Sequence, residues 1–259
     1  MTPPPALRVL VAGESWVSQS THYKGFDAFT SVTFHTGIEP LRGVLEADGM
    51  TVTHLPAHEV PERFPQSVAE LAAFDVVILS DIGANSLLLH QDTWLNGRRR
   101  PNRLKVLAEW VRTAGGGLAM AGGYLSFQGF EGKGFFHGSA VEEVLPAVIA
   151  QYDDRVETPE GAEPLLVDAG HPVVAGVPDG GRWPVLLGYN RFGLKEDAHL
   201  VAEVSGDPLL AVREVGAGRT LAWASDIAPH WCPQEFLDWK GYAVLFTNAC
   251  RWLAGRDMA

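Results

Sequence analysis

Short, mostly apolar runs alternate with helical segments along the first half of the chain. The runs at Leu7 to Ala12, Asp75 to Ser80 and Gly117 to Ala121 are typical of strands that a sheet buries on both faces. Before the last of them, apolar residues recur with the spacing of an amphipathic helix, at Leu104, Leu107, Ala108 and Val111. This alternation predicts an α/β fold with a mostly parallel, doubly wound sheet and right-handed crossovers.

Capping residues indicate where the helices begin and end. Thr36 is predicted to cap a helix that runs through Asp48. Asn102 is predicted to cap the helix that Gly115 ends. A further strand is expected over Thr51 to Leu55, between these two helices.

The second half of the chain contains shorter strands and one long C-terminal helix. Gly216-Ala217-Gly218 is predicted to join two of the strands as an antiparallel hairpin, and no linker or internal repeat interrupts the pattern. We therefore predict a single domain over residues 1–259, with residues 1–6 as a flexible lead-in. The strands are expected at His199 to Val204, Leu209 to Val215 and Arg219 to Ala224, and the helix at Phe236 to Leu253.

Residues 16–35 do not follow either pattern. They have no helical period, and they contain many aromatic residues. We predict a long ordered loop beside the end of the first strand, where such loops often serve function. A contact between copies of the chain, giving a homo-oligomer, is one hypothesis for it.

The charge of the chain excludes some classes of partner. Its net charge is −11 and its pI is about 5.2. Nucleic-acid binding normally needs a basic face, so we predict no nucleic-acid partner. The basic cluster of Arg98-Arg99-Arg100 with Arg103 and Lys105 is interpreted as a solvated loop followed by the start of a helix.

The cysteine content indicates a reducing environment. Cys232 and Cys250 are too few for a disulfide framework or a zinc set. No apolar run approaches the roughly 20 residues that a membrane helix needs. We therefore expect a cytoplasmic protein without a membrane partner.

Candidate chemistry lies where the predicted strands end. In open parallel sheets, ligands bind beyond the carboxyl ends of the strands. Glu14 follows the first strand there, and Asp81 follows the third. The central strand breaks at Gly122-Gly123-Tyr124, and a forced turn at this point is where α/β enzymes place a nucleophile. The turn itself carries no nucleophilic side chain.

Five short blocks, taken together and in order, resemble the class I glutamine amidotransferase-like proteins, whose broader kin are the PfpI-type hydrolases and the ThuA group. The similarity covers nearly the whole chain. It implies a flavodoxin-like three-layer sandwich with a nucleophile elbow after the central strand. The blocks are Gly13-Glu14-Ser15-Trp16, Lys24-Gly25-Phe26-Asp27, Gly116-Gly117-Leu118 through Gly122-Gly123-Tyr124, Asp207-Pro208-Leu209 with Gly216-Ala217-Gly218-Arg219, and Ser225-Asp226 with Pro229-His230-Trp231.

The resemblance also implies roles for single residues. Members with glutaminase chemistry have a cysteine within the elbow, and Gly123 stands at the corresponding place here. His230 resembles the histidine of that chemistry, although no glutamate follows it and Asp226 is the nearest acid. Glu14 resembles the carboxylate that PfpI-type proteins place at the end of the first strand. A pocket that has lost its reactive thiol is therefore implied.

Two functions remain open at this stage. The first is a protein that binds a small molecule or assembles without glutaminase activity. The second is a cysteine-independent hydrolase or lyase in which Glu14 and His230, with Asp226, exchange protons. The ligand contacts are expected from two tryptophans that can stack on a ring, from the glycine turn and from two hydroxyls, namely Trp16, Trp231, Gly122, Gly123, Tyr124 and Ser126.

No metal or cofactor is predicted. The nine histidines are scattered, without the spacing of metal ligands. The first strand is not followed by the glycine pattern of a dinucleotide site or by a P-loop. Backbone N–H groups of the glycine turn and of a helix after it are expected to bind an oxyanion or a carboxylate.

Overall fold

The computed structural model describes residues 5–178 and 182–256, so most of the predicted lead-in lies outside the described residues. The strands are β1 (Arg8–Gly13), β2 (Ser15–Lys24), β3 (Asp27–Thr36), β4 (Thr51–Leu55), β5 (Val76–Ser80), β6 (Gly117–Ala121), β7 (Ala147–Val148), β8 (Arg155–Ala162), β9 (Pro164–Leu166), β10 (Leu186–Asn190), β11 (Gly193–Leu194), β12 (His199–Val204), β13 (Asp207–Val215) and β14 (Gly218–Trp223). The α-helices are α1 (Glu39–Ala47), α2 (Val60–Arg63), α3 (Val68–Leu71), α4 (Ala84–Leu88), α5 (Gln91–Asn96), α6 (Arg103–Ala114), α7 (Ala140–Val144), α8 (Gln234–Asp238) and α9 (Lys240–Leu253).

The main sheet has eight strands in the order β4-β1-β5-β6-β14-β13-β12-β9. The strands from β4 to β14 are parallel, and those from β14 to β9 are antiparallel. Helices α1 and α9 pack together against one face, and α3, α6 and α7 pack together against the other. The predicted flavodoxin-like sandwich with its C-terminal antiparallel hairpin is confirmed.

The strand order reverses between β1 and β5. From β1 the chain crosses to β4 on one side, and it then returns to β5 on the other side. Ligand crevices in open α/β sheets lie outside the carboxyl ends of the strands at such a switch point. Glu14 follows β1 and Asp81 follows β5, so both residues stand at this point.

The prediction of a long loop over residues 16–35 is wrong, because these residues form the antiparallel hairpin β2–β3. Its ladder runs from the pair Ser15 and Thr36 to the pair Lys24 and Asp27. Almost every residue of both strands is exposed or half-buried. Since neither face is buried against the sheet, the sequence lacks the apolar and polar alternation that marks a strand. We call residues 15–36 the arm.

Two predicted helix boundaries differ from the observed ones. Helix α1 begins at Glu39 and its N-cap is Ile38, whereas Thr36 is the last residue of β3. The single C-terminal helix is two helices, because Trp239 has an extended conformation between α8 and α9. The cap at Asn102 is confirmed, since its side chain accepts hydrogen bonds from the first turn of α6.

Arg103 corrects the interpretation of the basic cluster as solvated. It is the first residue of α6, yet it is only 1% exposed. Its guanidinium donates to four backbone carbonyl oxygens of α2 and α4, namely Leu87 (2.5 Å), Val60 and Pro61 (2.9 Å each) and Ser86 (3.2 Å). Burial lowers the pKa of Arg103 to about 10, so the group remains charged at neutral pH.

Cys232 and Cys250 are both free thiols, and both are buried. Among the described residues, the helices are too short and too polar for any of them to cross a membrane.

Candidate functional site

Three carboxyl groups follow three parallel strands of the sheet. Glu14 comes directly after β1, Asp81 directly after β5, and Asp226 three residues after β14 ends. Gly122 and Gly123 follow β6, the strand between the last two. Electrostatic interaction links all three carboxyl groups, so the sheet brings them to one place.

The Glu14 side chain lies in the interior, between the end of β5 and the residue that follows the arm. Its side chain accepts a 2.6 Å hydrogen bond from the Ser80 hydroxyl. Its other carboxyl oxygen lies against Gly37, where an added Cβ would approach it to 2.4 Å. Burial raises the pKa of Glu14 to about 7, the Ser80 bond opposes this rise, and the charge of Asp81 adds to it.

The backbone is strained at two of the three acids. Glu14 has a φ of 48° and Asp81 a φ of 43°, values that residues with a side chain adopt infrequently. Such strain persists only where the surroundings enforce it, and it is frequent at functional sites. Both residues are the first after a buried parallel strand. The unusual backbone conformation therefore sets the direction of their carboxyl groups at the edge of the sheet.

Asp226 is buried, as Glu14 is. Its carboxylate accepts hydrogen bonds from the backbone N–H groups of Ile227 (2.7 Å) and Ala228 (3.2 Å). Burial raises the pKa of Asp226 well above its ordinary value, and the charges of Glu14 and Asp81 add to this effect. One carboxyl oxygen lies 3.9 Å from Nδ1 of His230.

His230 is the half-exposed residue next to this cluster of acids. Its side chain is 43% exposed. The imidazole stands edge-on to the Tyr124 ring, with centroids 4.6 Å apart, and stacks on the Trp231 indole at 5.3 Å. The structure thus brings together Glu14, Asp226, His230 and Tyr124.

Asp81 connects the cluster to the segment after β6. Its side chain accepts a 2.8 Å hydrogen bond from the backbone N–H of Leu125, and its own N–H donates to the Ser126 hydroxyl at 3.0 Å. Burial raises the pKa of Asp81, and the nearby His230 opposes the rise. Ser126 is 1% exposed, so its hydroxyl orients Asp81 in the interior.

The backbone donors of the glycine turn are already engaged. The N–H of Gly122 donates to Trp223 and Ser225, each at 2.8 Å, and that of Gly123 donates to the Asn190 side chain at 2.9 Å. The expected helix after the turn is also absent, since residues 124–129 are irregular and a single 3-10 turn follows. The turn therefore offers no free pair of donors for an oxyanion.

The two tryptophans expected to bind a ligand lie in different environments. Trp231 is only 1% exposed, and its indole N–H donates to Glu157 at 2.9 Å. The Tyr124 hydroxyl donates to the same carboxylate at 3.2 Å. Trp16 lies on the arm, half exposed, and stacks on His35.

Several residues around the site do not stand out in the sequence. Asp81 was visible as a polar residue after a buried strand, but Glu157 and Asn190 belong to a segment of short strands without a motif. Arg155 is also there, with its guanidinium 4.9 Å from the Tyr124 ring centroid and a two-bond ion pair to Asp153. The alternation of side chains along β8 and β10 is the only feature of the sequence that bears on these residues. It does not indicate which of them lie on the same face.

The site carries no metal signature. Among residues 5–178 and 182–256, no group of three or more histidine, cysteine or acidic side chains is arranged to hold a metal ion. The chemistry that these residues offer is proton transfer between a half-exposed imidazole and buried carboxyl groups.

Comparison with known proteins identifies the family. The family model described as "Putative glutamine amidotransferase" matches residues 8–255. No match was found among curated proteins. The chain is 41% identical to cytoplasmic protein STM3548 of Salmonella typhimurium, with a TM-score of 0.91, and 39% identical to cytoplasmic protein STM1381 of Salmonella typhimurium LT2, with a TM-score of 0.90. Both alignments cover 95% of this chain and 99% of the other.

A more distant likeness supports the fold alone. A β-galactosidase from Rahnella sp. R3 is 18% identical, with a TM-score of 0.52, over 83% of this chain and 26% of the enzyme. Since the family model spans nearly every residue, the chain belongs to the glutamine amidotransferase-like family that this model describes.

Proposed function

We propose that this family member does not hydrolyse glutamine and instead transfers protons to or from a small molecule, as a cysteine-independent hydrolase or lyase. The observation that best supports this is the convergence of His230 with the carboxyl groups of Asp226 and Asp81 at the carboxyl edge of the sheet. Residues with perturbed pKa values that gather at such an edge are candidates for catalysis.

His230 is the residue that contacts the ligand in this proposal. Its ring is half exposed, whereas Asp226 lies behind it and Glu14 lies deeper still. When the imidazole takes up a proton, its charge favours ionisation of Asp226 at 3.9 Å, so the pair balances the charge. Asp226 and Glu14 are therefore positioning residues, and Asp81 is the second group near the ligand.

The charges around the site favour a neutral or cationic ligand. Three acidic side chains meet there, and the guanidinium of Arg155 beside the Tyr124 ring is already paired with Asp153. The net charge of −11 also disfavours the approach of anions. Small amides, esters, lactones and glycosides are therefore the first compounds to test.

A second candidate is binding without turnover, and the engaged donors of the glycine turn favour it. Stabilisation of an oxyanion needs free N–H groups aimed at the reacting oxygen. Those of Gly123 and Leu125 are taken by Asn190 and Asp81. A saturable ligand that is never converted would support this second candidate.

Gly123→Cys is expected not to create glutaminase activity and to lower the free energy of unfolding by about 1–3 kcal/mol. An added Cβ at Gly123 would lie 2.9 Å from Cβ and Oδ1 of Asp81, and the φ of +145° is rare for residues with a side chain. Glutamate release from L-glutamine and urea unfolding measure the two effects.

Gly43→Ala is the matched control for the Gly123 substitution. Nothing lies within 4 Å of its added Cβ, and Gly43 is within α1, so alanine should not destabilise the protein. Glutamate release by the wild-type protein or by Gly123→Cys would contradict the proposal.

His230→Ala is expected to lower turnover of any converted compound by about 100-fold or more, because a general acid or base contributes that much. The fold should persist, since the side chain is half exposed. Incubation of wild-type and variant protein with a pooled set of small amides, esters, lactones and glycosides, followed by proton NMR, measures the effect.

His199→Ala provides the matched control for His230→Ala. His199 is also half exposed and paired with an aspartate, Asp168 at 2.8 Å, but it lies on β12 away from the carboxyl cluster. Turnover that survives in His230→Ala, or falls equally in His199→Ala, would refute the role of His230.

The relatives named as cytoplasmic proteins support a cytoplasmic location for this chain.

A further inference from the structure

The arm contacts the rest of the described chain near its base, where Phe34 stands edge-on to His58 and the Ser15 hydroxyl accepts a hydrogen bond from the N–H of Ala57. Its two strands of ten residues each extend about 33 Å at the usual rise, and they pair only with each other. An isolated two-stranded hairpin is at best marginally stable in water. The arm therefore needs a surface against which to pack.

Both faces of the arm are apolar enough to be buried. Residues that pair across the ladder share a face, so Val17, Val32 and Phe34 lie on one face, while Trp16 and Phe29 lie on the other. The five aromatic side chains of the arm are from 47% to fully exposed, namely Trp16, Tyr23, Phe26, Phe29 and Phe34.

The arm also lacks the charges that normally protect a free strand edge. Within residues 15–36 the charged side chains are Lys24 and Asp27, which face each other at the tip. Natural proteins protect exposed edges with lysines, prolines or very short strands. Two long, uncharged edges in a chain of net charge −11 indicate that another polypeptide covers them.

We propose that the arm docks on a second copy of this chain, so that two arms pack together about a two-fold axis. Aromatic side chains bury 150–250 Å² each, so the exposed parts of these five amount to roughly 600 Å². A stable interface needs about 800 Å² from each partner, a size that the whole arm can supply. Such a surface is self-complementary, as a two-fold contact requires, because it is nearly neutral and has free backbone edges.

A lipid surface fits the arm less well. Anionic membranes attract clusters of basic residues, and the arm carries one lysine opposed by one aspartate. The negative charge of the whole chain opposes such contact. This inference does not depend on the proposed proton-transfer chemistry.

Light scattering after gel filtration, from 1 to 100 µM protein, tests the proposal. The chain has a mass of 28.0 kDa, so we expect about twice that mass for the wild type. Val32→Glu places a charge on the apolar face of the arm and should give the monomer mass. Leu95→Glu, which charges an equally exposed leucine on α5, should leave the dimer intact.

A second variant removes the arm without disturbing the sheet. Ser15 and Thr36 face each other in the ladder, so an Asn-Gly turn can replace residues 16–35. This protein should be folded and monomeric. A monomeric wild type at 100 µM, a dimer that survives in the arm-less protein, or sedimentation of monomeric wild type with phosphatidylglycerol vesicles would each overturn the proposal.

Discussion

Between pH 4.5 and pH 7, the free energy of unfolding of Glu14→Gln is expected to fall by about 3 kcal/mol less than that of the wild-type protein. The folded state raises the pKa of Glu14 from 4.5 to about 7, because the carboxyl group is buried. A difference of one pKa unit corresponds to about 1.4 kcal/mol. Glutamine resembles the protonated acid and has no charge to bury, so the variant should lack this part of the pH dependence.

The sign follows from which state holds the proton more tightly. Above pH 4.5 the unfolded chain releases the Glu14 proton, whereas the folded protein keeps it until about pH 7. The contribution of Glu14 is therefore fully present below pH 4.5, and it is lost as the pH rises to 7. At pH 8 the variant should be the more stable protein.

Urea unfolding at pH 5, 6, 7 and 8 measures this effect. Glu109→Gln removes an exposed carboxylate from α6, and it controls for the loss of one negative charge. Stability curves of wild type and Glu14→Gln that stay parallel over this range would contradict the burial of an ionisable Glu14.

Arg103→Met is expected to lower the free energy of unfolding by at least about 3 kcal/mol. Methionine fills much of the side-chain volume but donates no hydrogen bond. Four carbonyl oxygens of α2 and α4, two of them in buried hydrogen bonds and two in half-buried ones, would lose their donor, and each buried unsatisfied group costs about 1–3 kcal/mol. Arg103→Lys should recover only part of the loss, because one ammonium group cannot reach both helices in the same way.

Lys105→Met controls for the loss of a positive charge from the same helix. Lys105 is exposed two residues further along α6, so its replacement should change stability by less than about 0.5 kcal/mol. Urea unfolding at pH 7 compares the three variants. Equal stability of Arg103→Met and Lys105→Met would refute the bridging role of Arg103.

The parallel half of the fold could be predicted because its strands are buried on both faces. β1, β5 and β6 are each a short apolar run, and the Asn102 cap marks the start of α6. The arm could not be predicted, because its residues have the same exposed surroundings on both faces. A pattern of alternation exists only where burial differs between faces.

The same limit applies to the site. Glu14 could be selected because ligands bind where parallel strands end, and Asp226 could be selected with His230 from the family resemblance. The structure places Asp226 next to both of them. The raised pKa values, the engaged donors of the glycine turn and the bonds of Glu157 depend on residues far apart in sequence. Arg103 was misread for a related reason, since its basic neighbours in sequence are exposed and its carbonyl partners lie in other helices.

Because both native cysteines are buried, a cysteine introduced at the surface can be labelled selectively. Burial raises the pKa of Cys250 to about 12, and burial with the charges of Asp226 and Glu14 raises that of Cys232 further. Maleimides and spin-label reagents are attacked by the thiolate, which these residues scarcely form at neutral pH. Ser20→Cys, at an exposed position of the arm, would thus supply the one reactive thiol. Distances between arms could then be measured in the otherwise native protein.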